Sequence, residues 1–469
     1  MPDSASAASP ARRKLRRLLP LIALLCVIAS LFLVAHGKGN PIGAAGILVG
    51  FAMVSWAIGL FAEPVTSLLF FLLAVLFHIA TPTAIFSGFA SAAWWLVFGG
   101  AIIALAVQES GLGRRLANFL FARIGDSYPR AVAAVAVAAV GLAFLMPSTN
   151  GRILLLMPIV LALTDRLGLQ PGRNGYAGLV ITVAAASYMP PTTILPANVP
   201  NGVLLGAAET LYGVKLAYGP YLLLHFPILG ALKTAILIWL VCRLFPERGP
   251  LARREERAPG ALSGDERRLA VLLALSLLLF ATDFIHGVSP AWISLATGIL
   301  CLTPPVGMLA PRTFSERVNF VTLIYIAGIL GLGAIVAESG LGSAASAALL
   351  QVAPLDPGHT ALNLAILGVI GAALGLITTV TGVPAVLTPL AQDFASASGL
   401  PLLSVLMLQV VVYSTVFLPV ESPPMMIALQ LGRVGIRPAT KLTLALAAIT
   451  LVVLLPLDYL WWRALGYAP

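Results

Sequence analysis

Apolar runs long enough to cross a bilayer dominate the chain. They fall near residues 18–36, 41–61, 65–80, 92–108, 175–206, 217–243, 268–286, 289–303, 318–337, 401–430 and 437–462; a helix needs about 20 apolar residues to span the hydrocarbon. Two further apolar stretches, 131–165 and 360–395, carry a polar break at mid-length. Each is better read as a re-entrant hairpin than as a crossing, because irregular backbone at membrane depth persists only where protein buries it or it lines a cavity. The pattern predicts an all-α polytopic membrane protein with about 11 transmembrane helices plus two re-entrant hairpins.

The pattern also repeats. Glu109-Ser110-Gly111-Leu112-Gly113 recurs as Glu338-Ser339-Gly340-Leu341-Gly342, each closing a long apolar run. Each copy is followed by a hairpin with a polar tip, Pro147-Ser148-Thr149-Asn150-Gly151 in the first half and Thr379-Val380-Thr381-Gly382 in the second. Four units follow: 1–40, a cytoplasmic N-terminus and first span; 41–244, the first repeat; 245–267, a polar cytoplasmic linker; and 268–463, the second repeat. Five crossings per repeat is an odd number, so the two repeats take opposite topologies. Duplicated membrane segments with matching interruptions mark secondary transporters whose site lies between the repeats.

Charge placement orients this frame. With the N-terminus in the cytoplasm, 23 of the 28 Lys and Arg fall on the cytoplasmic side, only Lys38, Lys215 and Arg463 fall outside, and Arg152 and Lys233 stay within apolar segments. Such a bias is the positive-inside signal, and it points to a multi-pass protein of the inner membrane. Arg130, Arg166 and Arg173 flank the first hairpin, which therefore enters from the cytoplasm; residues 338–360 and 396–400 hold no Lys or Arg, so the second enters from outside.

Composition agrees. The chain is 59% hydrophobic and 10% charged, with a mean hydropathy of +0.99, against about 25% charged in soluble domains. The net charge of +10 is accounted for by the cytoplasmic loops and does not indicate nucleic acid. The basic start Arg12–Arg17 before an apolar run also has the layout of a signal peptide, but the run is long and no small-x-small site closes it, which favours a retained first span. Cys26, Cys242 and Cys301 lack disulfide or metal spacing, and no HExxH, GxSxG or paired-Asp pattern is present. The reading is therefore of a protein without cofactor that is not an enzyme.

The chemistry concentrates in four breaks, the two hairpin tips together with Met189–Asn201 and Phe417–Pro424. Pro removes helical donors, and Gly or hydroxyl residues permit an unwound turn, so each break leaves free N–H groups on one side and free carbonyls on the other. N–H ends attract anions. One helix N-terminus is worth about half a positive charge, so four converging ends offset about two negative charges. Ser148, Asn150, Thr381 and Ser422 can hydrogen-bond a carboxylate or sulfate and can also ligate a hard cation such as sodium.

The tips, each followed by a Pro ten residues after its first polar residue (Ser148 to Pro158, Thr379 to Pro389), and the run Leu418-Pro419-Val420-Glu421-Ser422-Pro423-Pro424 resemble the divalent anion:sodium symporter family. The resemblance covers residues 41–463 in layout. It implies a homodimer of scaffold and moving transport domains that carries a dicarboxylate, tricarboxylate or sulfate with sodium by an elevator motion. Carried over by position, Ser148, Thr149 and Asn150 match the family's first motif and Thr379, Val380 and Thr381 its second. With the breaks read as above, the expected substrate site is Ser148, Thr149, Asn150, Gly151, Arg152, Thr192, Thr193, Asn201, Thr379, Thr381, Gly382, Ser422, Pro423 and Pro424. The expected coupling-cation site comprises Ser148, Asn150, Asn198, Thr379, Val380, Thr381 and Glu421, although Arg152 and Glu421 stand where the family usually has small or neutral residues. Departures are the order Ser-Thr-Asn at the first tip, Val380 in place of the family's Asn at the second, and Met425 in place of the Asn after the second Pro-Pro.

A charge in mid-membrane is expensive and marks function by default. Three readings of Arg152 and Glu421 stay open: they pair as a lock between repeats; Arg152 binds the anion while Glu421 supplies a cation ligand or carries a proton; or both face an aqueous vestibule. Lys233 is expected to snorkel or face the scaffold, Glu109 and Glu338 to finish helix ends or serve two gates, and Trp94, Trp95, Trp461 and Trp462 to form an interfacial belt. The expected activity is cation-coupled symport of a small anion, with sodium as coupling ion and protons or anion exchange as alternatives. A cation/proton antiporter or metalloid efflux permease centred on Glu421 is the rival.

Overall fold

The computed structural model describes residues 10–36, 40–121, 127–247 and 261–467. Residues 1–9, Lys38, Arg123 and the linker segment 248–260 with its Arg253–Arg257 run lie outside the described residues. Among the described residues every regular element is helical. Among the described residues, seven helical runs are long and apolar enough to cross a membrane, Pro41–Ile58, Ala92–Ser110, Tyr128–Leu145, Tyr218–Leu244, Phe320–Glu338, Thr360–Ile377 and Ile436–Ala464. Two of these, Tyr128–Leu145 and Thr360–Ile377, are hairpin arms. The remaining apolar runs lie in helices that are shorter or more charged, such as Glu63–Leu76, Pro290–Leu302 and Gly264–Ala281 with its Asp265, Glu266, Arg267 and Arg268.

The same order of elements occurs twice. In the first half a hairpin of Tyr128–Leu145 and Thr149–Arg166 precedes a broken helix, Asn174–Ala186 then Val199–Tyr212, with two 3-10 turns, Pro190–Thr193 and Leu195–Ala197, between. The second half has Thr360–Ile377 and Gly382–Ser398, then Leu402–Tyr413 and Pro423–Leu431 with one turn, Pro419–Glu421, between. Proline explains both interruptions: Pro190, Pro191 and Pro196, and Pro419, withhold donors where helix would continue. Pro200 and Pro423 then sit in the first turn of the next helix, where a missing N–H costs nothing. Each half ends in a helix carrying a π segment, Phe226–Leu232 and Thr450–Leu454.

The halves are joined by crossed helix pairs. Gly99 of Ala92–Ser110 lies against Ser294 of Pro290–Leu302, where an added Cβ would stand 2.5 Å from the Ser294 carbonyl carbon. Gly328 of Phe320–Glu338 repeats this against Ser67, whose Cβ would be 2.7 Å away. Small residues at a crossing let backbones approach where the surroundings give no hydrophobic driving force. The duplicated glutamates close the same helices across the halves: Glu109 pairs with Arg317, and Glu338 accepts from the Thr81 N–H at 2.9 Å and its hydroxyl at 3.0 Å. Both act at helix ends.

Two side-chain expectations are corrected here. Lys233 does not snorkel: it is fully buried, because its ammonium finds acceptors inside, the Ser414 carbonyl at 2.7 Å and hydroxyl at 3.2 Å. Trp462 is no interfacial anchor, since it is 2% exposed and stacks edge-on with His225.

Candidate functional site

All four breaks line one cavity of about 370 Å³. Ser148, Thr149, Asn150 and Gly151 come from the first tip, Tyr188, Asn198 and Pro200 from the first broken helix, Val380 and Thr381 from the second tip, and Pro423 and Pro424 from the second broken helix. The helices that begin at Thr149, Val199, Gly382 and Pro423 thus present their N-terminal ends to one space. Their partial charges sum to about two positive charges.

Local chemistry sets each end. Ser148 is extended (φ −150°) and its hydroxyl accepts from the Gly151 N–H at 3.1 Å, capping the helix behind it. The Thr149 hydroxyl contacts Asn198 Oδ1, and Asn198 Nδ2 donates to the Tyr188 carbonyl at 3.0 Å, so first tip and first break form one polar unit. Asn150 lines the cavity with its buried Oδ1 unpaired. On the other side the Val380 N–H donates to the Glu421 carbonyl at 3.0 Å, which lets Val380 join tip to break through backbone alone.

The opposite wall comes from two helices outside the breaks. Ala92–Ser110 contributes Val97, Ala101 and Gln108, and Phe320–Glu338 contributes Thr322, Leu323 and Tyr325, with Asn319 just before it. Sequence reasoning missed Gln108, Asn319, Thr322 and Tyr325. A signal existed for Gln108, which directly precedes the duplicated Glu109, whereas Thr322 and Tyr325 sit in an otherwise apolar run with no break to mark them. Glu63 and Arg317 are the charged residues of the lining.

The other expected residues stand elsewhere. Arg152 does not enter the cavity: it is fully buried and its guanidinium donates to the carbonyls of Met146 (2.5 Å), Ser187 (2.8 Å) and Ala197 (3.1 Å), to the Thr149 hydroxyl (3.1 Å) and to Asn198 Oδ1 (3.1 Å). It makes no ion pair with Glu421, whose carboxylate instead accepts from the Leu418 N–H at 2.9 Å and the Phe417 N–H at 3.2 Å. Thr192 and Thr193 turn their hydroxyls back onto the Met189 and Pro190 carbonyls at 2.6 and 2.7 Å. Asn201 donates to the Ile194 carbonyl at 2.9 Å, and Ser422 is fully buried with an unpaired hydroxyl. Thr379 and Gly382 border a separate void of about 20 Å³ against Trp56 and Tyr325.

Chemically, a largely apolar pocket ringed by helix N-termini and a few neutral hydroxyl and amide groups can hold a small, multiply charged anion. The model of the sodium:sulfate symporter transmembrane region matches residues 15–468. A membrane protein of Cupriavidus necator is 24% identical over 398 residues, 81% of this chain and 76% of its own length. The citrate/succinate antiporter of Escherichia coli K12 is 26% identical over 51% of this chain and 53% of its own length. The L-tartrate/succinate antiporter of the same strain is 27% identical over 42% of this chain and 44% of its own. The chain thus spans about half the length of these two antiporters. Among solved structures, the YdaH transporter of Alcanivorax borkumensis aligns with TM-score 0.57 and 18% identity over 83% of this chain and 89% of its own. The Neisseria gonorrhoeae efflux pump MtrF aligns at 0.54 and 14% over 92% and 96%. Both share the fold.

Proposed function

The chain belongs to the sodium:sulfate symporter family, the divalent anion:sodium symporters, and from this we propose that it exchanges small di- and tricarboxylates across the inner membrane. It is a polytopic membrane transporter and not an enzyme. The observation that carries the proposal is the cavity onto which four helix N-termini converge, a charge pattern that suits a dianion. Exchange is preferred because matched relatives are citrate/succinate and L-tartrate/succinate antiporters.

In this reading the anion's carboxylates meet Ser148 and Asn150 on one side and Thr381 on the other, within the field of the converging helix ends. The two hairpins and two broken helices form the moving domain of an elevator. The helices bearing Gly99 and Gly328 form the scaffold of a homodimer, the N-terminus is cytoplasmic, and the cavity opens to the cytoplasm past Glu63 and Arg317. Glu421 caps its own turn through two backbone N–H groups, which argues against a central free carboxylate of the kind a cation/proton antiporter would need.

Sodium symport is the second reading, supported by the family and by the hydroxyls of Thr378, Thr379 and Thr381 at the second tip. Proteoliposomes separate the two. Exchange predicts that labelled succinate enters vesicles only when they hold unlabelled succinate, citrate or tartrate; symport predicts uptake into carboxylate-free vesicles under a sodium gradient. No saturable flux of any di- or tricarboxylate or of sulfate, in exchange or under sodium or proton gradients, would sink the proposal.

A further inference from the structure

Among the described residues one basic side chain lines the cavity itself. Arg317, the last residue of the short helix Pro311–Arg317, shares the wall with Gln108, Asn319 and Thr322. Its guanidinium pairs with Glu109, and among the described residues that is its only hydrogen bond. The pair is partly in the open, with the Arg317 side chain 49% and the Glu109 side chain 35% exposed. Neighbouring acids do not compete for it. Glu316 is taken by Arg312 at 2.7 Å, and Glu63, the other charged residue of the lining, makes no ion pair among the described residues. Arg115 shows the contrast: it spends Nε and Nη2 on Glu266 and Nη2 again on the Ala261 carbonyl at 3.0 Å, as an arginine does that fastens two segments. Arg317 leaves most of its five donors unused.

We infer that Arg317 is a specificity-determining subsite for the third carboxylate of a tricarboxylate, with Glu109 as the placeholder that such a substrate displaces. This rests on reading the cavity as a carboxylate site. Charge decides it. The four helix N-termini at the tips and breaks offset about two negative charges, which matches a dicarboxylate and leaves one charge of a tricarboxylate uncompensated. Among the described residues of the lining, only Arg317 can supply the missing positive charge.

Position and cost agree with this role. Gln108 Nε2 stands 3.2 Å from the place a Cβ would take on Gly151, so the end of Ala92–Ser110, where Glu109 holds Arg317, comes up against the first tip. The cavity of about 370 Å³ falls within the range of about 300–1,000 Å³ for small-molecule sites, which gives room for more than a four-carbon dianion. An exposed ion pair adds little net stability, so giving up Glu109 costs little. The planar fork then offers an incoming carboxylate two parallel, charge-assisted bonds. Asn319 adds a donor beside it: its Oδ1 already accepts from the Thr322 N–H at 3.3 Å, which leaves its amide nitrogen to the substrate.

The test is binding of citrate and of succinate by calorimetry, together with melting temperatures, on the full-length protein at about pH 8, well above the carboxyl range. Arg317→Gln is expected to lower the preference for citrate over succinate about tenfold, the worth of a lost charge-assisted bond. Arg317→Lys keeps the charge without the fork and is expected to lower it less. Glu109→Gln frees the guanidinium and is expected to raise the same preference. A merely structural pair gives a different pattern, since removing either partner would then move citrate and succinate together and in one direction.

An Arg317→Gln protein that keeps the wild-type preference overturns the inference, and so does a Glu109→Gln protein whose preference falls or stays the same. Should Arg317→Gln fail to fold, Glu109→Gln decides alone: a higher preference for citrate supports the subsite, and a lower or unchanged one overturns it. Wild type that binds succinate but not citrate overturns the inference and leaves dicarboxylate transport standing, whereas binding of no carboxylate counts against the transport reading and takes the inference with it.

Discussion

The Tyr188 hydroxyl donates to the Tyr413 carbonyl at 2.9 Å, and so ties the end of one broken helix to the end of the other. Both tyrosines are buried, and Tyr221 completes the link with its hydroxyl 3.2 Å from that of Tyr413 and 2.7 Å from the Thr192 carbonyl. Tyr188→Phe keeps the ring and removes one bond, leaving a buried carbonyl short of a donor. The expected loss is about 1 kcal/mol, seen as a lower melting temperature. Succinate affinity should fall with it, because Tyr188 also lines the cavity; an unchanged melting temperature would show that the link carries no stability.

Asn150 offers the most direct test of charge in the site. Its Oδ1 is buried without a partner, and the residue faces the cavity. Asn150→Asp keeps shape and adds a negative charge where an anion would bind. At about 4 Å and an effective dielectric near 20 that repulsion is worth about 4 kcal/mol, enough to abolish succinate-induced thermal stabilisation. The variant's own melting temperature should move far less, and retained ligand stabilisation would place the anion elsewhere.

What the sequence made legible, and what it hid, follows from range. Proline and glycine act locally, so the breaks at Pro147–Gly151, Met189–Asn201, Thr379–Gly382 and Phe417–Pro424 could be read from one stretch of chain each, and they meet at one cavity. Arg152 shows the limit. Its place after the first tip suggested an anion ligand or a partner for Glu421, but its length and five donors carry it backwards into the carbonyls of Met146, Ser187 and Ala197. Only the three-dimensional return of the chain past Ser187 brings those acceptors there. Lys233 and Ser414, 181 residues apart, were hidden for the same reason. Tyr325 was hidden by another: a polar tip on an apolar helix leaves no periodic trace.

The crossing of the two halves makes a steric prediction with its own control. A Cβ at Gly99 would meet Ser294 backbone at 2.5 Å, and backbone cannot rotate away. Gly99→Ala is therefore expected to destabilise by about 1–3 kcal/mol, as overpacking does. Gly141, inside Tyr128–Leu145, has nothing within 4 Å of the same position, so Gly141→Ala should be neutral or stabilising by about 0.5–1 kcal/mol through helix propensity. Comparable melting temperatures for the two variants would mean that the crossing has room to slide.

Outside the spans, Arg115 grips Glu266 with both ends of its fork, Nε to Oε1 at 2.8 Å and Nη2 to Oε2 at 3.0 Å. Glu266 also accepts from the Ser263 N–H at 2.7 Å to close a capping box. The bond from Arg115, and then that from the Ser263 backbone, hold the Glu266 carboxyl below its usual range. A carboxylate whose folded value is depressed stabilises the fold above its unfolded value of about 4.3, and that stability is lost as pH falls through the folded value. Glu266→Gln should therefore lower the melting temperature at pH 7, by the equivalent of about 1 kcal/mol. The gap between wild type and variant should hold from neutral pH down to about pH 5 and close below about pH 4. Thermal unfolding in detergent across that range is the measurement, and a gap that is absent at neutral pH or widens in acid would show that Glu266 does not fasten this junction through its charge.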